Sequence, residues 1–499
     1  MNVLKLLIIS VLCGASFSAS AGYWCGSPSS GSGAERYEII SIKEVVRREG
    51  DYFRFGFNLE SFLFDSIAGV KIIDLLGSRF DGDVRSAEGF FLRYPGGSIS
   101  DRINLMDTVG PDRKVLKMAD WAKPQTLRFG LAEYLDFVSL TAARSWLVLN
   151  VVDSDQKAAP EVLAEKNAQV LDMVRERAEL GHAELGNEPY MPRHRLDGRA
   201  YGERLRPTLD MMQKRFADVR PVLAMMGHDI GGNNARRYNQ DVIDVTGNPD
   251  VDFALHYYYD GPPGGPSMVS TLSNLCARVR DLKQLTGRNP SIWVTEHGRW
   301  PGGKMDEPDW QLRWPNTYNF GAALSVAEFV IGAALIPEVK GVFLHALGGT
   351  RGPWPMYQQN GTDGDFYPTA PMLAQAVLYP LSRGDIQVTE ISTPEIDGGA
   401  GLRAAFVLLK LDEMGLALVS RLEKMTKAQL IIPAYAGMRV HYRANVVSAT
   451  SVEAVNVPGQ ASPVKQVMVE GELNFSVDGR AELPVPALSV AFIRFTSKH

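Results

Sequence analysis

Residues 145–151 read Ser-Trp-Leu-Val-Leu-Asn-Val and residues 182–186 read His-Ala-Glu-Leu-Gly; between them, residues 161–180 read Glu-Val-Leu-Ala-Glu-Lys-Asn-Ala-Gln-Val-Leu-Asp-Met-Val-Arg-Glu-Arg-Ala-Glu-Leu. The first run is almost wholly apolar, as in a strand covered on both faces. The long run sets Leu163, Val170, Leu171 and Val174 on one helical face. Strand, helix, strand in that order is the crossover unit of a parallel sheet.

The unit recurs in both directions along the chain. Further strands are expected at Phe53–Leu59, Phe90–Tyr94, Pro221–Met226, Asp252–Tyr258, Ile292–Thr295 and Gly341–Ala346. Amphipathic stretches at Leu131–Thr141, Tyr201–Phe216, Ser270–Thr286 and Tyr318–Ala334 separate them. Strand and helix alternating in this way over residues 51–378 is the pattern of an α/β (β/α)8 TIM barrel. A doubly wound open sheet would be favoured by a Gly-x-Gly-x-x-Gly turn after the first strand, and none is present.

From about Gly384 the helical period stops. Short alternating runs follow at Leu402–Lys410, Leu416–Ser420, Ala428–Ile432, Arg439–Arg443, Gln466–Val469 and Ser489–Phe495, spaced by turn residues. Residues 379–499 are therefore expected to form a C-terminal β-sandwich. In the N-terminal segment, residues 22–50, the stretch Arg36–Val46 alternates in the same manner and is expected to return and pair with that sandwich.

The chain has 499 residues, 45% of them hydrophobic, with 57 acidic and 52 basic side chains and a formal net charge of -5. That apolar fraction excludes a disordered chain, and the slight acidity with no Lys/Arg-rich run argues against nucleic acid as a partner. Residues 1–21 have the make-up of an export signal: Lys5, an apolar Leu6–Gly14, then Ala19-Ser20-Ala21 at the cleavage position. A periplasmic or secreted protein with no membrane span after signal removal is the expectation. Cleavage would leave Cys25 and Cys276, whose pairing spacing alone leaves open.

In a barrel of this type the C-terminal ends of the strands carry the chemistry. Strand four ends in Glu184-Leu185-Gly186-Asn187-Glu188-Pro189 and strand seven in Thr295-Glu296-His297-Gly298. Those strands face each other across the barrel mouth, so Glu188 and Glu296 converge on one cleft. Two carboxyl groups so placed suit glycoside hydrolysis: one protonates the departing oxygen while the other attacks the anomeric carbon or activates water. Glu188 is expected to be protonated through burial or the charge of Glu296. Tyr258 and Arg93 are expected to keep Glu296 ionised, with Asn187 placed for a sugar 2-hydroxyl. Glu60, Asn150 and His256 also end strands and are candidate hydroxyl binders. Glu184 is expected to point into the barrel and need a partner such as Arg93. Trp300, Trp310 and Trp314 in the loop after strand seven, with Trp354 and Tyr357 after strand eight, offer faces for stacking on a sugar.

From about Phe55 to Leu347 the sequence resembles the clan A retaining glycoside hydrolases, which carry an Asn-Glu acid/base at the end of strand four and a Glu nucleophile at the end of strand seven. Phe57-Asn58-Leu59-Glu60, Leu92-Arg93-Tyr94-Pro95-Gly96-Gly97, Phe129-Gly130-Leu131-Ala132-Glu133-Tyr134-Leu135 and Glu184-Leu185-Gly186-Asn187-Glu188 are most similar to glycoside hydrolase family 51. Asn187-Glu188-Pro189 and Thr295-Glu296-His297-Gly298 look more like families 79, 39 and 30. The resemblance implies double displacement with net retention, Glu188 as acid/base, Glu296 as nucleophile, and a nucleophile-bonded tyrosine at Tyr258. It implies a carbohydrate substrate and no cofactor.

Two other classes fit less well. A metal-dependent TIM-barrel hydrolase would use His228, His256, His297 and His345, but strand one lacks the His pair such a site wants. A non-catalytic carbohydrate-binding barrel would be expected to have lost one of the two glutamates.

Overall fold

In the computed structural model the described residues are 37–46, 51–60, 89–117, 123–154, 158–194 and 196–497, the last range less 231, 233, 261–265, 348–351, 360–365, 392, 394, 397–398, 411–412 and 458. The expected export signal and Cys25 lie outside them; Cys276 is disulfide-bonded.

Eight parallel strands close into a barrel: β1 (Arg54–Leu59), β2 (Phe91–Tyr94), β3 (Arg144–Leu149), β4 (Leu180–Leu185), β5 (Arg220–Ala224), β6 (Asp252–Tyr259), β7 (Ile292–Arg299) and β8 (Val339–Leu347). Helices α1 (Leu131–Thr141), α2 (Pro160–Arg175), α3 (Gly198–Arg215), α4 (Ala235–Thr246), α5 (Met268–Thr286) and α6 (Phe320–Ala334) lie between successive strands from β2 to β8. A further helix, α7 (Ala370–Val377), follows β8. No helix among the described residues is long and apolar enough to cross a membrane.

Strand side chains alternate in direction, so one inward layer sits two residues above the next. The lower layer is Gly56, Phe91, Trp146, His182, Val222, Ala254, Trp293 and Phe343, one from each strand in turn. Phe91, Trp146, Val222, Ala254, Trp293 and Phe343 form a buried cluster of their own. Trp146 stacks on His182 with ring centroids 4.6 Å apart. Gly56 is small because a Cβ there would lie 2.2 Å from the Phe343 ring. Two residues higher stand Asn58, Arg93, Glu184, His256, Thr295 and His345, so the aromatic plug becomes the floor of a polar mouth.

Besides three short two-stranded sheets, the later strands are β9 (Asp385–Ile391), β10 (Leu402–Lys410), β11 (Glu413–Ser420), β12 (Thr426–Ile431), β13 (Arg439–Ser448), β14 (Lys465–Asn474), β15 (Arg480–Val485) and β16 (Ser489–Ser497). With the N-terminal strand Tyr37–Val45 they make one nine-stranded sheet in the order β14-β13-β16-β11-β10-β9-(Tyr37–Val45)-β12-β15. Its ends, β14 and β15, touch, so the sheet curls into a sandwich around Phe406, Leu416, Leu418, Leu430, Leu483 and Ile493. The alternate residues Val407, Ala417, Val419, Val490 and Phe492 turn outward into the barrel core cluster. Tyr37–Val45 runs antiparallel to β9 and parallel to β12.

Helix α6 is buried along its whole length because it lies between barrel and sandwich. Its one charge, Glu328, is fully buried and accepts from Arg403, Arg421 and the Ala400 amide. Arg421 also donates to Asp260, the residue that follows β6.

Gly56→Ala drives a methyl into Phe343 and is expected to cost about 1–3 kcal/mol in urea denaturation. Adding Phe343→Leu should recover part of that loss, and strict additivity of the two changes would show that the contact is not what limits the position.

Candidate active site

Arg93 stands at the centre of the polar layer with no exposed surface. Its Nε and Nη2 grip Glu184 at 2.8 and 2.9 Å. Nη1 donates to Glu296 at 2.7 Å and to Asn58 at 3.1 Å, and Nη2 also donates to Asn187 at 2.8 Å. All five guanidinium N–H groups are thereby engaged. Glu184 takes further bonds from the Trp146 indole at 2.9 Å and the Thr295 hydroxyl at 3.3 Å. Burial alone would raise its carboxyl, but Arg93 outweighs that and pulls it down to about 2. Arg93 is thus the partner of Glu184 and a donor to Glu296, as expected; fully buried and with its donors engaged, it presents no surface for the substrate contact also expected of it.

Glu296 reaches the mouth through an irregularity in β7. Its register against β6 slips between Val294 and Glu296, so Thr295 and Glu296 both face inward. Arg93 holds one oxygen, and the Tyr258 hydroxyl donates to the other at 2.9 Å. Burial opposes ionisation, yet His256 and Arg93 hold this carboxyl well below the usual carboxylate range.

Glu188 follows β4 through a tight turn in which Gly186 has φ +85° and Glu188 itself +45°. A non-glycine residue takes that conformation at a cost of about 1–2 kcal/mol, the kind of strain that concentrates at functional sites. Its Oε2 accepts from Arg193 at 3.1 Å, and its Oε1 lies 3.5 Å from His256 Nδ1. A carboxyl oxygen of Glu188, a ring nitrogen of His256 and a carboxyl oxygen of Glu296 all lie within 4.8 Å of one another.

His256 joins the two carboxylates. The Thr295 hydroxyl donates to Glu184, so it accepts from His256 Nε2 at 3.1 Å, and Nδ1 faces Glu188 and Glu296 at 3.5 and 3.6 Å. Burial would lower this imidazole, but Glu296, Glu184 and Glu188 raise it to about 9. The expectation that Glu188 is held protonated fails for the same reason: burial and Glu296 push it up, but His256 and Arg193 prevail and lower it. Glu188, His256 and Glu296 are also the group among the described residues whose donor atoms could share a cation. A protonated imidazole offers no lone pair to a metal.

Around this core, Asn187 is buried with its Oδ1 on Arg93 and its amide N–H donating to Asp101. Glu60 is nearly buried, with His345 Nε2 3.2 Å away, and a Cβ on Gly97 would lie 2.7 Å from its Oε1. Asn150 does not serve the mouth: its Oδ1 accepts from the Asp153 amide and its Nδ2 donates to Ile103 O, closing the loop after β3. Tyr258, Trp300 and Trp354 form an aromatic wall, with centroids 5.0 to 5.9 Å apart. Both indole N–H groups are fixed on backbone carbonyls of Gly303 and Arg299. Trp310 packs on Trp300 and Trp314, whereas Tyr357 is buried and presents no face.

Three participants escaped the reading as carbohydrate-site residues. Asn58 accepts from Arg93 and donates to His345 Nδ1; both end strands, which was the available signal. Arg193 lies in a loop, five residues beyond Glu188, where no period applies.

Structures of known proteins superpose on nearly the whole chain. An α-L-arabinofuranosidase from Thermotoga maritima matches with TM-score 0.70 at 17% identity, covering 93% of this chain and all of that one. A GH51 arabinofuranosidase from Xanthomonas axonopodis pv. citri gives 0.71 at 15% identity, covering 92% and 100%. The catalytic domain of GH30 xylanase C from Talaromyces cellulolyticus gives 0.56 at 10% identity, covering 93% and 100%. The chain shares their fold. It resembles clan A enzymes of family 51 in architecture as it does in motif, a TIM barrel followed by a β-sandwich. No family model and no curated protein sequence matches it.

Tyr258→Phe deletes one of the donors that keep Glu296 ionised. Its carboxyl should rise by about one pK unit, the scale of a hydrogen bond to a charged group, as read from the 13C shift of a labelled glutamate. An unmoved carboxyl would show that Arg93 and His256 suffice.

Proposed function

We propose that this chain is an exported retaining glycoside hydrolase that cleaves glycosidic bonds in a poly- or oligosaccharide. The observation that carries the reading is the approach of Glu188 and Glu296 to within 4.8 Å, oxygen to oxygen, above a floor that keeps Glu296 ionised. Retaining enzymes hold their carboxyl groups ~5–5.5 Å apart, whereas inverting ones need ~6.5–9.5 Å to admit water.

In this mechanism Glu296 Oε2 attacks the anomeric carbon while Glu188 protonates the departing oxygen. Water, deprotonated by Glu188, then releases the glycosyl ester, giving net retention. Arg93 and Tyr258 keep the nucleophile charged and aimed, and they take back its negative charge when the ester breaks. Asn187 and Glu60 stand where sugar hydroxyls would lie, and the wall of Tyr258, Trp300 and Trp354 offers a stacking face. The arabinofuranosidase and xylanase folds found among solved structures support a glycosidase scaffold and set the first substrates to try.

The test is a panel of 4-nitrophenyl glycosides, α-L-arabinofuranoside first, with plant and bacterial polysaccharides, following the product anomer by NMR. First-formed product should keep the substrate's anomeric configuration. Glu296→Gln should lower kcat at least ~10³-fold and Glu188→Ala ~10²–10⁴-fold on poor leaving groups. Azide should restore part of the Glu188→Ala rate by trapping the glycosyl ester. An inverted first product, or hydrolysis surviving the loss of both glutamates, would sink the proposal.

A further inference from the structure

Glu188 has two opposite tasks in the proposed reaction: it must give a proton and then take one. In the free site it is set for the second task alone. Arg193 Nη2 donates to its Oε2 at 3.1 Å, and protonated His256 faces its Oε1. The two cations differ in what holds them. His256 is buried and tied to Thr295, whereas Arg193 stands at the rim with 36% of its side chain exposed against 19% for Glu188.

Little else restrains Arg193. Its Nε donates to His194 Nε2 at 3.1 Å, and the ion pair it forms among the described residues is with Glu188. Asp101, 3.4 Å from His194, attracts Arg193 at longer range but forms no ion pair with it among the described residues, and burial pushes its carboxyl up to about 8. Around Glu188 the other titratable groups are His256 and Tyr258 on β6, Glu296 on β7, Glu60 after β1, Tyr190 in its own loop and exposed His228 after β5, whose imidazole is lowered from its ordinary value. Of these, none is both cationic and exposed. Arg193 bonds the Glu188 oxygen other than the one that faces His256, and in the proposed reaction the leaving group departs past Glu188.

Resting on Glu188 as acid/base, we infer that Arg193 is the binding group for an anionic sugar, carboxylated or sulfated, on the leaving-group side, and that its transfer to that anion arms Glu188 as the acid. When the guanidinium moves to the anion, Glu188 loses a cation and gains a negative neighbour, so a proton enters from solvent onto its carboxylate. That proton passes to the glycosidic oxygen as the C–O bond breaks and the Glu296 ester forms. Departure of the anionic product returns Arg193 to the Glu188 carboxylate, which then takes a proton from the attacking water. The gained proton goes back to solvent, and uptake and release cancel over the turnover.

The experiment is calorimetric titration at pH 7 of the full chain with galacturonic acid, galactose 6-sulfate and galactose, each in two buffers of different ionisation enthalpy. The wild type should bind at least one of the two anions with uptake of about one proton and take up none with galactose. Which anion does so separates a carboxylate-reading site from a sulfate-reading one. Arg193→Gln should bind that anion about tenfold or more weakly and take up no proton, while Arg193→Lys retains part of both effects. On neutral aryl glycosides Arg193→Gln should move the alkaline limb of kcat/KM upward, each pK unit on Glu188 giving about a tenfold gain above that limb. Failure of the wild type to bind either anion, binding without proton uptake, or the same uptake in Arg193→Gln would overturn the inference. A wild type that links anion to proton yet hydrolyses no glycoside would refute the hydrolase reading and leave the Arg193 site standing.

Discussion

The guanidinium of Arg93 is the interaction on which the barrel mouth depends. It is buried beneath the site, and it divides its donors among Glu184, Glu296, Asn58 and Asn187, which come from β4, β7, β1 and the turn after β4. One planar cation thus sets the positions of side chains brought from three strands and a turn. Its price in desolvation is met only because two carboxylates share it, the bidentate one to Glu184 giving geometry and the single bond to Glu296 giving charge. A lysine would carry the same charge but could not satisfy that many acceptors in one plane. The aromatic layer below, with Trp146 and Trp293, keeps water from reaching the cation from beneath.

The sandwich is coupled to this site through β6. Asp260 follows Tyr258 and Tyr259 at the end of the strand, and Arg421 from the sandwich and Ser325 from α6 both bond its carboxylate. Its backbone carbonyl accepts from Arg299 at the end of β7, and the Arg299 carbonyl accepts from the Trp354 indole. Tyr258, which donates to Glu296, and Trp354, which packs against Tyr258, are therefore braced by a network rooted in the second domain. Removing that domain would expose the buried side of α6 and leave Glu328 without its two arginines, so the pieces form one mechanical unit.

The fold was readable because the barrel strands are mostly apolar runs, and from β2 to β8 helical periods separate them; errors fall where those signals fade. Strand β7 runs to Arg299 rather than Thr295, since its last residues, His297-Gly298-Arg299, look like loop until β6 is seen beside them. Strand β15 contains Pro484, which reads as a turn, yet it is the edge of the sheet, where a missing N–H is tolerated. Strand β9, Asp-Ile-Gln-Val-Thr-Glu-Ile, carries too few apolar residues to stand out from the turns around it. The glutamates were legible as strand ends on opposite sides of a barrel. So were the two carboxylate partners of Arg93; the bonds of Asn150 and Arg193 were not, because which partner a polar side chain finds depends on the depth of its layer and the path of its loop.

Depth also explains how two chemically identical carboxyl groups come to differ. Glu296 sits on the strand itself, 3% exposed, enclosed by donors that belong to the barrel layer and cannot leave without breaking Arg93 from Glu184. Its ionised state is therefore a property of the fold. Glu188 sits beyond the strand, past a left-handed turn, and one of its two cations is held only by a rim loop. Its protonation state is free to follow whatever occupies the rim. The proposed double displacement asks for both: its nucleophile must be charged each time a sugar arrives, while an acid that becomes a base is served by no fixed environment in both halves of its work.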